Sequence, residues 1–331
     1  MLRGDSVPSF KHDRVTPAQI IILGFLLLIF TGAVLLMLPF STQEPGGASF
    51  GDALFTATSA TCVTGLVLHD TALYWSPFGQ LVILLLIQVG GMGVVTIAVA
   101  IFMFAGKRIG LKQRWVMQES ISAPQVGGIV RMTGFILKTA FLIEGIGALL
   151  LALRFCPQFG LGRGLWYAVF HSVSAFCNAG FDLMGVNSPF SSLTDYVGDP
   201  LVSNVIAFLI IIGGVGFLTW NDIREHKLHF RRYRLQSKLI LTTTLALILT
   251  GLLFFLLYEF EQGQWVDMSL WERINAAFFQ SVTPRTAGFN TVDLTGLSQP
   301  AQLLIILLML VGGSPGSTAG GFKTTTLAVM L

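Results

Sequence analysis

Three copies of one arrangement of apolar and polar segments account for most of this sequence. Each copy has a long apolar stretch, a short amphipathic segment that ends in a glycine-containing turn, and a second long apolar stretch. Several apolar stretches reach the ~20 residues that cross the ~30 Å hydrocarbon layer of a bilayer. The pattern predicts an all-α membrane protein of repeated helix–pore loop–helix units around a pseudo-symmetric pathway. The predicted first helices cover about 18–40, 134–155 and 238–260, and the second helices about 78–104, 201–221 and 300–331.

The three turn segments have similar sequences, and so do three glycine motifs in the second helices. The turn segments read FTATSATCVTGL from Phe55, FHSVSAFCNAGF from Phe170 and FQSVTPRTAGF from Phe279, the third being one residue shorter before its glycine. The motifs of the second helices read VGGMG from Val89, IGGVG from Ile212 and VGGSPG from Val311. The same order of features in all three copies indicates an internal repeat.

The amphipathic segments are too short to cross a bilayer. They cover about 50–60, 164–175 and 270–281. Helices of this length extend roughly 17 Å, about half of the membrane. Capping patterns at Ser49 with Asp52 and at Ser269 with Glu272 indicate that these helices begin in the outer interface. Irregular backbone at membrane depth persists only where protein buries it or where it lines a water-filled path. We therefore expect re-entrant loops whose helix dipoles direct their negative ends at the centre.

The glycine after each short helix favours an ion filter of backbone carbonyls. Carbonyls at close spacing can replace the water shell of a cation, and glycine adopts the required backbone conformations without steric strain. No carboxylate precedes these glycines, which argues against a divalent-cation site with several acidic ligands. A single glycine of this kind would be read as a helix C-cap, but three at matched positions favour a filter. The predicted filter residues are Val63, Thr64, Gly65, Asn178, Ala179, Gly180, Thr286, Ala287 and Gly288.

Small residues and a proline interrupt the last predicted helix. Such residues disfavour a regular helix, and a lysine inside an apolar span is usually functional. We interpret 312–322 as a flexible loop below the filter that can obstruct the pathway, with Lys323 anchoring it. The alternative is a packing kink from which Lys323 extends to the cytoplasmic interface. The residues assigned to gating are Gly312, Gly313, Ser314, Pro315, Gly316, Ser317, Thr318, Ala319, Gly320, Gly321 and Lys323.

Composition and charge agree with a membrane location. Charged residues make up 11% of the chain, against about 25% in soluble domains. The net charge of +3 gives no reason to expect nucleic-acid binding. Three basic residues lie before residue 17, five lie in 105–131 and six lie in 221–238. These three segments therefore hold 14 of the 20 lysine and arginine residues. The positive-inside rule makes that side cytoplasmic, which places the N-terminus inside and the filter towards the outside of a cell (inner) membrane. The two inner basic segments would dock a cytosolic regulator or anionic lipids.

Isolated polar residues in apolar surroundings have more than one interpretation. Arg285, between the third short helix and its glycine, either braces the loop or repels cations. Glu144 is expected to pair with Lys138 or with a polar group facing the pore. His171 and Gln280 are expected to be structural. Cys62 and Cys177, each three residues before a glycine, could approach one another around the axis, but a metal site needs more ligands.

Four segments carry a resemblance to a known family. Thr64–Leu66, Asn178–Phe181, Thr283–Asn290 and Gly316–Thr325 resemble the Ktr/Trk/HKT superfamily of potassium transporters, most of all its bacterial KtrB-type membrane subunits. The resemblance covers essentially the whole chain. It implies four repeats around one K+ pathway, with one filter glycine per repeat and a gating loop in the third. It also implies a homodimer seated on a cytosolic nucleotide-binding regulatory ring. No cofactor is implied beyond the transported K+, and Na+ is an alternative coupling ion.

Repeats and linkers divide the chain into consecutive segments. A fourth repeat is absent from this sequence, so we expect a C-terminally truncated form that does not conduct by itself, with self-association to replace the missing quarter as the alternative. The segments are an N-terminal tail (1–17), repeat 1 (18–104), a basic linker (105–130), repeat 2 (131–223), a second basic linker (224–237) and repeat 3 (238–331).

The sequence features are compatible with three functions. The leading hypothesis is a K+ channel or transporter subunit that is not an enzyme. A Na+-permeable or Na+-coupled protein is the second, because one glycine per loop offers few coordinating layers. An intramembrane enzyme using His69, His171 or Glu144 is the third, and no nucleophile–base pairing or metal-ligand spacing supports it.

Overall fold

The structure is a computed structural model that describes residues 16–104, 110–120, 128–227 and 229–330. Most of the predicted N-terminal tail and part of the linker 105–130 lie outside the described residues. Within the described ranges the regular secondary structure is helical and no β-strand occurs. The α-helices are α1 (Pro17–Leu36), α2 (Phe50–Thr61), α3 (Thr71–Tyr74), α4 (Pro77–Met92), α5 (Val94–Phe104), α6 (Leu111–Ser120), α7 (Ile129–Phe159), α8 (Leu161–Phe176), α9 (Pro200–Val215), α10 (Phe217–His226), α11 (Leu235–Phe254), α12 (Leu270–Val282), α13 (Gln299–Leu310) and α14 (Thr324–Met330).

The helices follow the three predicted repeats. The first helices are α1, α7 and α11, and α11 continues as a π-helix over Phe255–Glu259. All three are long and apolar enough to cross a membrane, and the bent pair of α9 and α10 can form a fourth span. The short pore helices are α2, α8 and α12. The all-α repeat architecture is therefore confirmed for the described residues, although α7 and α8 are longer than the sequence predicted.

The prediction of continuous second helices is wrong for the first two copies. The chain turns at Gly93 between α4 and α5, where φ is 85°, and at Gly216 between α9 and α10, where φ is 97°. The second of these breaks bends the helix pair by 95°. In the third copy α13 ends at Leu310 and α14 begins only at Thr324. Positive φ at the last glycine of the motif ends the helix in the first two copies, whereas in the third copy the helix ends before its glycines.

Glycines in the second helices let them lie directly on the ends of the pore helices. A Cβ atom at Gly90 would overlap the carbonyl oxygen of Thr61, the last residue of α2. In the second copy, a Cβ at Gly213 would overlap the carbonyl oxygen of Phe176, the last residue of α8. Only a residue without a side chain permits this approach. Two of the three pore helices are therefore held at their C-terminal ends by backbone contact.

Candidate ion pathway

Each pore helix is followed by the same backbone conformation. Left-handed φ values occur at Gly65, Gly180 and Gly288, at 79°, 72° and 85°. They occur again two residues earlier, at Val63, Asn178 and Thr286, with φ between 56° and 67°. A positive φ at valine or threonine is strained and persists only where the surroundings hold it in place. The special backbone of the glycines was predicted from the sequence, whereas that of the residues two positions earlier was not, because no residue type there marks it.

The three turns meet at one place. A Cβ atom built on Gly65 would lie 2.6 Å from the carbonyl oxygen of Ala179. A Cβ atom built on Gly180 would lie 2.5 Å from the carbonyl oxygen of Ala287 and 3.1 Å from Cα of Gly288. The second and third turns thus each present a carbonyl oxygen to the glycine of the preceding copy. The predicted filter segments of all three repeats form a single cluster of backbone.

A hydroxyl group holds each turn by the same hydrogen bond. Ser59 donates to the carbonyl oxygen of Leu66 at 2.7 Å, and Ser174 donates to that of Phe181 at 2.7 Å. In the third copy, Thr283 donates to the carbonyl oxygen of Phe289 at 2.5 Å. Each acceptor is the residue that follows the filter glycine. These hydroxyls occupy matched positions in the three aligned segments, a signal that the sequence analysis did not use.

The three turns differ in their exposure. Asn178 and Ala179 of the second turn are buried, as is Ala287 of the third, whereas Thr64 and Gly288 are exposed. The second turn therefore lies enclosed between its neighbours. The open side of the cluster is formed by the first and third turns.

The proposed gating segment lies against the second repeat. The backbone N–H of Ser314 donates to the carbonyl of Gly214 at 2.9 Å, and that of Phe217 donates to the carbonyl of Gly316 at 2.7 Å. The hydroxyl of Thr318 donates to the carbonyl of Phe176 at 2.9 Å. The segment 312–322 is not helical, as predicted, and it is held by specific hydrogen bonds to the break between α9 and α10.

Lys323 folds back onto this loop. Its Nζ atom donates to the carbonyl oxygen of Ala319 at 2.9 Å, and its side chain is half-buried. This contact favours the anchoring interpretation over an extended side chain that reaches the interface. A cavity of about 470 Å³ lies between the loop and the first turn, and Cys62, Val63, Gly93 and residues 316–320 belong to its lining.

Arg285 is buried and connects the third turn to two neighbouring elements. Its guanidinium donates to Oγ1 of Thr244 at 3.4 Å and to the carbonyl of Gly312 at 3.5 Å. Its own carbonyl accepts a hydrogen bond from Nδ2 of Asn178 at 3.5 Å. These contacts link the third turn, the start of the gating segment and the second turn. The arrangement favours the bracing interpretation of Arg285.

Glu144 and His171 have structural partners, whereas the buried side chain of Gln280 has no hydrogen-bond partner among the described residues. Oε1 of Glu144 accepts a hydrogen bond from Nε2 of Gln88 at 3.0 Å, so Lys138 is not its partner. Nδ1 of His171 lies 2.7 Å from the carbonyl of Tyr167, while its Nε2 accepts from the backbone N–H of Leu183 at 3.3 Å.

The two cysteines near the turns have different surroundings. Cys62 is exposed and Cys177 is buried, and neither forms a disulfide. A Cβ atom built on Gly91 would lie 2.8 Å from Sγ of Cys177, so this thiol packs against the second helix of the first repeat. Nothing in these contacts gives the cysteines a role in metal binding.

Comparisons with known proteins agree with this geometry. Residues 8–331 match the family described as TrkH, cation transport protein. The Ktr system potassium uptake protein B of Bacillus subtilis is 44% identical over 322 residues, which cover 97% of this chain and 71% of that protein. The potassium/sodium uptake protein NtpJ of Enterococcus hirae is 42% identical over 320 residues, covering 97% of this chain and 70% of that protein.

A solved structure shares the fold. The crystal structure of the potassium transporter TrkH from Vibrio parahaemolyticus matches with a TM-score of 0.70 at 19% sequence identity. The match covers 97% of this chain and 62% of that chain, so the present chain spans less than two thirds of its length. The relatives are named as transporters and not as enzymes, in agreement with the sequence analysis. The chain belongs to the TrkH family of cation transport proteins.

Proposed function

We propose that this chain is the membrane subunit of a K+ uptake channel or transporter and that ions pass the cluster formed by the three turns. The observation that carries the proposal is the meeting of Gly65, Gly180 and Gly288, each presented by the end of a short helix. Carbonyl oxygens of the filter residues replace the water that a K+ ion loses on entering. The negative ends of the three helix dipoles add to the attraction for a cation.

The hydroxyl bonds of Ser59, Ser174 and Thr283 give the filter its rigidity. Each bond engages the carbonyl that follows the glycine and so prevents it from turning towards the ions. Each hydrogen bond closes a short loop, and the strained residue two positions before the glycine lies within that loop. A backbone fixed in this way presents its remaining carbonyls without reorganisation when an ion arrives.

Residues 312–322 act as the gate in this proposal. The segment lies against the C-terminal end of α8 and is joined to the second repeat by hydrogen bonds of backbone and side chains. Its opening breaks the contacts of Ser314, Gly316 and Thr318, while Lys323 and Arg285 retain its two ends. Ion flow then depends on how firmly the loop is docked.

A Na+-permeable or Na+-coupled transporter is the second candidate. It is favoured by the name of the Enterococcus hirae relative, a potassium/sodium uptake protein. One glycine per turn also provides fewer coordinating layers than a long tube of carbonyls would. In this candidate the same cluster of turns binds both ions.

The assembly and location follow from the family and from charge. We propose a homodimer in the cell (inner) membrane, with the N-terminus in the cytoplasm and the filter facing outwards. The relatives named as parts of a Ktr system support a separate regulatory subunit, for which a cytosolic nucleotide-binding ring is our proposal. Anionic lipids are further proposed partners of the basic segments.

Radiotracer uptake into proteoliposomes tests the function. The complete protein that contains this chain is reconstituted, and initial rates are measured for K+ and Na+ separately at equal ion gradients. The proposal predicts uptake of K+ that exceeds uptake of Na+. Equal rates would favour the second candidate, and the absence of flux for both ions above empty vesicles would contradict both.

A further inference from the structure

A basic cavity lies where α6, α7 and α10 meet. It has a volume of about 1060 Å³, and four cationic side chains belong to its lining. These come from three separate elements, with Arg114 on α6, Arg131 and Lys138 on α7, and Arg224 on α10. The fold thus brings the two inner basic segments together at one end of α7.

The positive charge of this cavity is not neutralised by protein within the described part of the chain. No carboxylate belongs to its lining there, and none of the four cations has a carboxylate oxygen within 4.0 Å among the described residues. Glu225 lines an adjoining cavity of about 420 Å³ and accepts a hydrogen bond from Asn221 at 2.9 Å. Arg224 is instead held by the ring of Phe135, whose centroid lies 4.8 Å from its guanidinium carbon.

Basic and apolar residues follow one another along one face of α7. Arg131, Phe135, Lys138 and Leu142 are spaced by four, three and four residues, which places them on the same side of the helix. The spacing continues through Ile146, Leu149 and Leu153. Leu142, Leu149 and Leu153 are between 63% and 68% exposed. A charged end is therefore continuous with an exposed apolar stripe.

The two cations of α7 lie slightly farther apart along the helix axis than the headgroup layer is thick, and their long side chains can extend into that layer. Arg131 and Lys138 are separated by about 10 Å along the helix axis at 1.5 Å per residue. The polar layer on each side of a bilayer is roughly 5–8 Å thick. A lipid at this depth would place its phosphate group within reach of both side chains and its acyl chains parallel to the apolar stripe.

We infer that this cavity binds the headgroup of an anionic phospholipid, with the acyl chains along α7. Charge complementarity and the apolar stripe together point to this occupant. A small soluble anion would use only the basic end, and a soluble protein would leave the stripe unused. The lipid joins α6, which precedes the second repeat, to α10, which follows it, and so stabilises both against α7. The inference requires only that α7 crosses the membrane and does not depend on the identity of the transported ion.

Native mass spectrometry of the detergent-purified complete protein tests the inference. Phosphatidylglycerol, phosphatidylcholine and glycerol 3-phosphate are added in separate titrations, and bound adducts are counted. We expect one saturable phosphatidylglycerol that phosphatidylcholine and glycerol 3-phosphate do not reproduce. The double variant Arg131→Gln and Lys138→Gln should weaken its binding about 30-fold, from ~1 kcal/mol for each basic residue near an anionic surface. The control is Arg163→Gln, an exposed basic residue on α8 that lies outside the cavity and outside both basic segments.

Other outcomes would overturn the inference. Equal binding of phosphatidylglycerol by the cavity variant and the control variant would exclude the cavity as its site. Equal binding of phosphatidylcholine would indicate an apolar groove alone, and equal binding of glycerol 3-phosphate would indicate a small-anion site. The single variant Arg114→Gln, on an exposed side chain of α6, gives an independent test if the double variant does not fold. It should weaken binding about fivefold, and unchanged binding would count against the inference.

Discussion

The hydroxyl of Thr318 donates a hydrogen bond to the carbonyl oxygen of Phe176 at 2.9 Å. Phe176 is the last residue of the second pore helix, and Thr318 belongs to the loop between α13 and α14. This one contact joins the proposed gate of the third repeat to the element that positions the filter of the second. Asn178 follows Phe176 by two residues, and its side-chain oxygen lies 3.4 Å from the same Thr318 hydroxyl. The proposed gate therefore contacts a predicted filter residue.

Replacing this hydroxyl should open the gate. Thr318→Val keeps the shape of the side chain but removes a hydrogen bond of about 1 kcal/mol, and leaves the carbonyl of Phe176 without this donor. We expect K+ uptake without the regulatory partner to rise about fivefold, with unchanged preference for K+ over Na+. Thr242→Val is the matched control, because Thr242 donates within its own helix to Lys238. Equal rates in the two variants would contradict the proposed docking role.

Removing a filter hydroxyl should lower ion selectivity. Ser174→Ala breaks the bond to the carbonyl of Phe181, so the backbone around Gly180 can reorganise. We expect the ratio of K+ to Na+ uptake to fall roughly tenfold, which corresponds to about 1.4 kcal/mol. Ser281→Ala serves as the control, since this buried serine donates to Phe278 within its own pore helix. A selectivity that survives Ser174→Ala would show that the bond is not needed for the filter.

Loss of the Arg285 brace should affect gating more than selectivity. Arg285→Met retains volume but removes the donors to Thr244 and to the carbonyl of Gly312. We expect regulator-independent K+ uptake to increase severalfold, because the start of the gating segment loses its tie to the third turn. Arg285→Lys keeps one donor and should give an intermediate rate. A fall in selectivity without a change in basal uptake would assign Arg285 to the filter instead.

The start of the third pore helix should show a pH-dependent cap. Ser269 and Glu272 form a capping box, and the backbone N–H of Ser269 holds the pKa of Glu272 below its usual range. A lowered carboxyl pKa means that its contribution is present above pH 4.5, the ordinary value, and is lost as the pH falls through the folded-state pKa.

Thermal unfolding of Glu272→Gln at two pH values measures this effect. The variant should unfold at a lower temperature than the parent at pH 7, and the difference should shrink at pH 3.5. Ser269→Ala should destabilise by about 1 kcal/mol at pH 7, and part of this loss should also disappear at pH 3.5, because the Ser269 hydroxyl contributes to the lowered pKa of Glu272. A difference for Glu272→Gln that grows at low pH would have the wrong sign for this explanation.

The special backbone conformation of the three repeated glycine turns was predicted from the sequence. Gly65, Gly180 and Gly288 stood out because only glycine adopts their backbone easily and because the same pattern occurred three times. The hydroxyl bonds were missed because serine and threonine within a helix commonly bond to their own helix, and nothing local marks an acceptor six or seven residues ahead. The partner of Glu144 could not be predicted, because Gln88 lies 56 positions away on another repeat.

Helix boundaries were harder to predict than the presence of helices. The breaks at Gly93 and Gly216 lie inside apolar runs, so the hydropathy pattern does not show where the helices end. The start of α7 at Ile129 was missed because the basic segment 105–131, which ends with Arg131, resembled a polar linker, although Arg131 lies on the helix. The basic cavity required three segments that only the folded chain brings together.

The relative uptake of K+ and Na+ by Gly180→Ser tests the central claim most directly. A Cβ at this position would lie 2.5 Å from the carbonyl of Ala287, on backbone with φ of 72°. The account predicts that K+ uptake falls and that the ratio of K+ to Na+ uptake approaches one, whereas Gly145→Ser, at an open position of α7, leaves both unchanged. Uptake and selectivity of Gly180→Ser equal to those of Gly145→Ser would contradict a filter built from these three turns.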